Sequence, residues 1–585
     1  MTRLFNDPAA FADEMIDGFV ASHSRWVRRV SGGVVRNTRS TPETVALVIG
    51  GGSGHYPAFA GLVGQGLAHG AAMGNLFASP SAQQIYNVAK AASKGGGVLL
   101  GYGNYAGDVL HFTQAQERLR AEGIDCRSIA VTDDVSSAPL ADRAKRRGVA
   151  GDLTVFKVAA AAAEAGYTLD QVMDVATRAN DRTRSFGVAF SGCTLPGAEH
   201  PLFSVPDGRM AVGMGIHGEP GIDETDVPTA DGLAELLVGK LLTEVPADVS
   251  AAGSAARRRV VPILNGLGSV KYEELFVVYR RVAQLLEGAG LDAVDPQVGE
   301  LVTSFDMAGT SLTLFWLDEE LEAFWNAPSD APAFRRGAVT AAALAPEDAA
   351  ETADVEVPIP DASDASRAGA RRILAALGAA KNVVDANAEE LGRIDAVAGD
   401  GDHGIGMERG VRAAVDAAAG AVTRGAGAAT TLHLAGDAWA DKAGGTSGAL
   451  WGLMLRSVGD ALGNSDAPDA AAVSAGVAQA AAAVMEFGKA EPGDKTLVDV
   501  LVPFRDELAR GVENGLALDR AWGAAAGSAQ RAAEDTAQLL PRMGRARPHA
   551  ERSLGTADAG AVSMALIARA IHNTLSEDNK VKENA

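Results

Sequence analysis

Between residues 40 and 320, short β-branched or apolar runs repeatedly stop at glycine and lead into helical patterns: TVALVIGGGSG, GGGVLLGYGNYAG, RSIAVTDD, RSFGVAFSG, RMAVGMGIHG, RRVVPILNGLG and SLTLFWLDEELEAFW. A strand that ends in glycine and passes to a helix builds α/β layers, whose ligands bind where the strands end. This alternation predicts an N-terminal α/β half over residues 1–326, made of two α/β subdomains divided near residues 180–185. Residues 327–364 are rich in Pro, Ala, Asp and Glu with little periodicity, and read as a linker. Beyond them only helical spacing remains. In WGLMLRSVGDAL, residues Trp451, Met454, Leu455, Val458 and Leu462 share a face, and in TLVDVLVPFRDEL so do Leu497, Leu501, Phe504 and Leu508, with Pro503 as a candidate kink. An all-helical domain is expected over 365–576 and a frayed polar tail over 577–585. These stripes specify packing and carry no chemistry.

The balance of 52 Lys+Arg against 74 Asp+Glu leaves a net charge of -22, which works against nucleic acid or an anionic membrane and favours a small metabolite as ligand. Cys126 and Cys193 are too few for a disulfide framework. The N-terminus MTRLFNDPAAFADEMIDGF carries acids where a signal peptide carries an apolar core, and no unbroken run of 18 apolar residues occurs. A cytoplasmic protein is expected.

The stretch DAVAGDGDHG places Asp395, Asp400 and Asp402 among three glycines, at spacings that no single helix face aligns. Carboxylates gathered this closely need a cation or hydrogen-bond donors to hold them. An EF-hand counted from Asp400 would need glycine and glutamate where Ile405 and Val411 stand, so that reading fails. Hard oxygen ligands with room for phosphate suit Mg²⁺. A second glycine cluster, GGTSGALWG, opens the stripe containing Trp451, and helix N-termini of this kind present free N–H groups to anions. GRARPHAERSLGTADAGA adds arginines near another Gly/Asp turn. Metal, anion cradle and guanidinium together suggest a nucleotide bound in an all-helical module, although G-x-x-x-x-G-K-[ST] is absent.

In the first half, His55 follows one strand-ending glycine run, Asp108 another, and His217 lies between glycines after a third. Such strand ends face a common crevice, where two histidines and a carboxylate could meet. GGGSGH, the GD pair at 107–108, GMGIHGEPG, GDGDHG, GGTSGALWG, PGDKT and GRA then occur in the order found in the single-chain, ATP-dependent dihydroxyacetone kinases. The chain resembles that family over about residues 10–325 and 366–575. The resemblance implies a ketose-binding α/β half and a C-terminal helical-barrel nucleotide-binding domain. It implies that His217 holds the ketone as a covalent hemiaminal, that Asp108 accepts the proton of the attacking hydroxyl, and that His55 and the backbone of Gly52 and Ser53 contact the substrate. By the same matching, Asp395, Asp400 and Asp402 hold two Mg²⁺ with ATP. His403, Gly404, Gly445, Thr446, Ser447, Arg545, Asp558 and Gly560 belong to the nucleotide site. A homodimer and a lipid enclosed by the barrel are further implications.

Tyr56 and Phe59 stand where typical members have a glutamate and a histidine, which points to erythrulose beside dihydroxyacetone as substrate. A relative that receives phosphoryl groups from a sugar-transport phosphocarrier and keeps ADP bound is disfavoured by the fusion of both halves, and two further readings compete with the kinase. One is an FAD-AMP lyase releasing cyclic FMN, which needs the acidic loop but not His217. The other is a non-catalytic ketose-sensing regulator, in which Asp108 and the acidic loop would be superfluous.

Overall fold

The structure, a computed structural model, describes residues 4–8, 10–198, 200–219, 221–251, 258–344, 359–397, 399, 401–543 and 553–583. The chain forms two compact units, residues 1–354 and 355–585.

The first unit opens with α1 (Phe11–His23) and a six-stranded sheet of β1 (Val27–Val30), β2 (Gly33–Arg36), β3 (Ala46–Ser53), β4 (Gly70–Leu76), β5 (Val98–Gly103) and β6 (Cys126–Val131). Its order is β1-β2-β4-β3-β5-β6; β4, β3, β5 and β6 run parallel, and the β1–β2 hairpin is added antiparallel at one edge. Parallel strands are covered on both faces, and β3 is buried along its whole length. Leu47 and Ile49 join the core beneath α4 (Asp152–Glu164) and α5 (Leu169–Asp181), whereas Ala46 and Val48 join the one beneath α2 (Ala82–Ala92) and α3 (Ala106–Ala121).

A second sheet contains β7 (Thr183–Ala189), β8 (Arg209–Val212), β9 (Asp223–Asp226), β10 (Arg258–Gly266), β11 (Leu291–Ala293), β12 (Gln297–Gly299) and β13 (Gly309–Trp316). Its order is β11-β10-β13-β7-β8-β9, with β12 also beside β10. Pro262 sits inside β10 where its outer partner changes from β11, paired to Arg258–Val260, to β12, paired to Ile263–Asn265. That break in the ladder tolerates a residue without an N–H. Helices α6 (Ala230–Leu242) and α8 (Tyr272–Gly288) pack on this sheet, α7 (Ala247–Ala251) is short, and α9 (Glu319–Asn326) returns to α4. The buried Asp133 joins the two sheets: its carboxylate accepts from Val149 N at 2.8 Å, Gly151 N at 2.8 Å and the hydroxyl of Ser185 on β7.

The expected linker departs from the structure at its start. β14 (Ser329–Asp330) and β15 (Arg335–Arg336) pair as a hairpin, Asp330 N donates to Gln65 O, Ala333 N to Gly61 O, and Leu344 bridges Thr38. Ala331 and Phe334 are buried there. The approach depends on missing side chains: a Cβ on Gly64 would lie 2.2 Å from Asp330 O, and one on Gly66 2.2 Å from Pro328 O. Linker residues 345–358 and tail residues 584–585 lie outside the described residues.

The second unit is helical: α10 (Asp364–Asp395), α11 (His403–Thr423), α12 (Ala428–Ala443), α13 (Gly445–Leu462), α14 (Ala470–Gly488), α15 (Val498–Glu513), α16 (Leu518–Asp535) and α17 (Ala559–Glu583). Each packs on the next and α17 returns to α10, closing a ring. Inside it the Trp439 and Trp451 rings stack 4.8 Å apart, and Leu501, Phe504 and Leu508 are buried on a helix that runs through Pro503. Helix α14 has the length and mean hydropathy of a membrane span, but its Val477, Ala480, Ala481 and Val484 are buried in the ring core.

Lys157, fully buried on α4, donates to Phe324 O at 3.0 Å, and burial pulls its ammonium down to about 8. The native state therefore holds its proton less tightly than the unfolded chain, and stability gains as pH rises from about 8 towards 10.5. Lys157→Met removes the buried charge. Denaturant unfolding is expected to show a gain of about 1–3 kcal/mol at pH 7 that shrinks above pH 10.

Candidate active site

In the first unit, β3 ends at Ser53 and delivers His55, while the loop after β8 delivers His217. The two imidazoles meet edge to face, Nε2 to Nε2 at 3.0 Å, both buried. His55 Nδ1 lies 2.7 Å from Thr303 O, and His217 Nδ1 lies 3.1 Å from Glu219 Oε1. Phe77 stacks on His55 at 5.0 Å and meets His217 edge-on at 5.5 Å, and Tyr105 packs on His217 from another side at 4.5 Å. Phe305 closes on Phe77 at 5.7 Å. The result is a buried aromatic cage closed around the two imidazoles, the candidate substrate pocket.

Asp108 lies in the first turn of α3, one turn beyond Tyr105, and is buried. A carboxylate at a helix N-terminus is favoured by the backbone dipole. Behind it sits Asp152, fully buried at the start of α4; burial first, then the carboxylates of Asp133 and Asp108, hold its pKa well above the usual range. The Tyr102 phenol is raised to about 12 by burial and by Asp108. The hydroxyl of Ser53 donates to Gly74 O at 2.6 Å, so the side chain is committed to β4 and only backbone can face the pocket. Gly52 lies against Phe77 and Ala78, where a Cβ would fall 2.8 Å from Ala78 N.

In the second unit, Asp395 ends α10 and its carboxylate accepts from Gly401 N at 2.9 Å and His403 N at 3.4 Å. Asp402 precedes α11; burial, with Asp395 adding, pushes its carboxyl up. Asp558 precedes α17, accepts from Ala561 N at 2.8 Å, and is raised to about 7 by burial and by Asp395 and Asp499. Asp395 thus disfavours ionisation of both Asp402 and Asp558, an arrangement that a cation would relieve, while among the described residues no group of three or more His, Cys, Asp or Glu side chains stands close enough together to hold a metal ion. Lys495 reaches Ser553 O at 2.7 Å and, with Asp395 and Asp558, lines one small cavity. Asp400 and Arg545 lie outside the described residues.

His403 is held by three helices. Ser563 on α17 donates to Gly560 O at 3.0 Å and so accepts from His403 Nε2 at 3.0 Å, leaving Nδ1 to accept from Ser447 at 3.3 Å. Burial lowers its pKa, so the ring is neutral. Ser447 follows Gly445 and Thr446 in the first turn of α13. Gly404 lets α11 press on α10, since a Cβ there would lie 1.9 Å from Ala388 O. Glu219, Tyr105, Phe77, Ser563 and Lys495 were not singled out from sequence. Glu219, Tyr105 and Lys495 lie within quoted motifs, and Ser563 carries no local signal.

Residues 17–333 match the Dak1 domain and residues 397–573 the DAK2 domain. The chain is 65% identical over 581 residues to the L-erythrulose kinase of Pectobacterium atrosepticum, covering 99% of this chain and 97% of that one. It is 54% identical over 575 residues to the D-erythrulose kinase of Mycolicibacterium smegmatis, covering 98% of each. The crystal structure of the dihydroxyacetone kinase from C. freundii in complex with AMP-PNP and Mg²⁺ aligns with a TM-score of 0.51 at 28% identity, over 98% of this chain and 99% of that one. Two matched domains in one polypeptide, one α/β and one helical, define a phosphotransferase acting on an alcohol group. The chain belongs to the single-chain dihydroxyacetone kinase family, and it is a ketose kinase that uses ATP.

Asp152 gives a stability test beside the pocket. Its folded pKa lies above the unfolded value of 3.8, so its contribution is complete below that pH and is lost as pH rises through the raised value. Asp152→Asn is expected to flatten the fall in unfolding temperature as pH rises above 3.8, and to unfold no earlier than the parent at neutral pH.

Proposed function

We propose that the protein phosphorylates a terminal hydroxyl of a short ketose, foremost erythrulose, while His217 holds the substrate as a covalent hemiaminal. The observation that carries this is the buried approach of the two Nε2 atoms at 3.0 Å, each ring anchored through Nδ1. A ketone entering there meets one imidazole as nucleophile and another as proton donor to its oxygen. Covalent capture selects carbonyl compounds over polyols such as glycerol and fixes the reacting hydroxyl in place. Asp108 takes that hydroxyl's proton. Support for erythrulose comes from the two relatives named erythrulose kinases and from the pocket wall of Phe77, Tyr105 and Phe305.

Asp395, Asp400 and Asp402 would hold two Mg²⁺, which when bound neutralise phosphate charge. The Thr446 hydroxyl and the N–H groups of Thr446 and Ser447, at the N-terminus of α13, offer donors to phosphate oxygens, and the neutral His403 accepts the hydrogen bond of the Ser447 hydroxyl and so braces that residue. Asp558, Gly560 and Arg545 complete the nucleotide side. The homodimer and the barrel lipid belong to this proposal as family features.

A coupled ADP-release assay with Mg-ATP over dihydroxyacetone, glyceraldehyde, glycerol and both erythrulose enantiomers tests it. One erythrulose enantiomer is expected to exceed dihydroxyacetone in kcat/KM by about tenfold or more, with glycerol inert. Turnover of none of the short ketoses would overturn the proposal. His217→Ala is expected to cost at least about 10³-fold in kcat/KM, and Asp402→Asn about 10²-fold in kcat with the ketose adduct intact. The lyase reading requires the reverse pattern, FMN release from FAD untouched by His217→Ala and no ketose turnover in the parent.

A further inference from the structure

The loop carrying His217 folds back on itself. Gly215 N donates to Glu219 O at 3.0 Å and Gly218 N to Gly215 O at 3.2 Å, while Gly218 takes φ +83° and packs where a Cβ would lie 2.1 Å from the Phe203 ring. This turn sets the Glu219 carboxylate on the residue two places before it. Oε2 accepts from His217 N at 3.0 Å and Oε1 faces His217 Nδ1 at 3.1 Å. Glu219 is buried, and Arg147 stands 3.8 Å from Oε2 while donating from Nε to Asp134 at 2.9 Å.

The hydrogen-bond partners assign the protons. A carboxylate only accepts, so His217 Nδ1 carries hydrogen. The carbonyl of Thr303 likewise only accepts, so His55 Nδ1 carries hydrogen as well. Two neutral rings so arranged would oppose lone pairs at 3.0 Å, and a hydrogen bond between them needs one further proton. With that proton the pair would be an imidazole–imidazolium couple, with the Glu219 carboxylate as the adjacent counter-charge.

We propose that Glu219 is a positioning residue that keeps the His217 proton on Nδ1, so that the Nε2 lone pair faces the ketone. The inference rests on the covalent capture proposed above. In the step, the bond between His217 Nε2 and the carbonyl carbon forms, the π pair of C=O moves to oxygen, and that oxygen takes the proton from His55 Nε2. His55 ends neutral. His217 ends as an N-substituted imidazolium whose Nδ1–H remains on Glu219, and charge is conserved without another reactant.

The test uses the full-length protein with ¹⁵N-labelled histidine and erythrulose labelled with ¹³C at its carbonyl carbon. The His217 signals are assigned by their loss in His217→Ala. The parent is expected to show His217 as the Nδ1–H form and, with ketose, a tetrahedral ¹³C resonance. Glu219→Gln, whose amide can donate to Nδ1, is expected to bring in the Nε2–H form, to cut the adduct at least about tenfold, and to lower kcat about 10²-fold with the KM for ATP unchanged. Glu219→Asp keeps the charge and is expected to fall between the two; should Glu219→Gln not fold, its tautomer shift is read instead. An unchanged tautomer and adduct in these variants would overturn the role of Glu219. A parent without the tetrahedral resonance, but with the tautomer shift in Glu219→Gln, would sink covalent capture and still support Glu219 as the tautomer holder.

Discussion

The 3.0 Å meeting of His55 and His217 depends on holding together segments that belong to different sheets. His55 leaves a fully buried parallel strand, and its ring is fixed to the loop before β13 through Thr303 O. His217 comes from the β8–β9 connection and is fixed by the turn that returns Glu219. Neither contact would survive slippage of one sheet against the other. Asp133 opposes that slippage, since one buried carboxylate satisfies two N–H groups at the start of α4 and a hydroxyl on β7. Burial raises that carboxyl to about 6, and its three donors offset much of the desolvation.

The helical unit solves the opposite problem. Its site gathers carboxylates with Lys495 beside them, and a closed ring of helices supplies the stiffness that tolerates the crowding. Asp395 is steadied by backbone N–H groups, Asp558 by the N-terminus of α17, and His403 by hydroxyls from α13 and α17. The backbone donors among these lie at or just before helix starts, where N–H groups lack partners within the helix. Such a site is set before any ligand arrives, so binding energy is not spent on assembling it.

The sequence made the strand-end residues legible because each chemical group follows a glycine that ends a run. His55, Asp108 and His217 could be listed without knowing their distances. What escaped notice arises from pairings far apart in the chain. Thr303 meets His55 from 248 residues away, and Ser563 meets His403 from 160. The segment from Ser329 to Leu344 was hidden by its composition. Its Pro and Ala content resembles a tether, yet Ala331 and Phe334 find a seat because Gly64 and Gly66 leave room for backbone to lie on backbone. Pro503 was read as a candidate kink, and α15 passes through it without ending.

The ring closure has a consequence for chain order. Asp395 at the end of α10 and Asp558 just before α17 line one cavity, so these neighbouring helices run antiparallel. The start of α10 and the end of α17 therefore lie toward the opposite pole, about 48 Å and about 38 Å from the acids given their 32 and 25 residues. A circular permutation of the helical unit alone that splices those two ends and opens a loop elsewhere at that pole would leave the acid-bearing pole with every connection it now has.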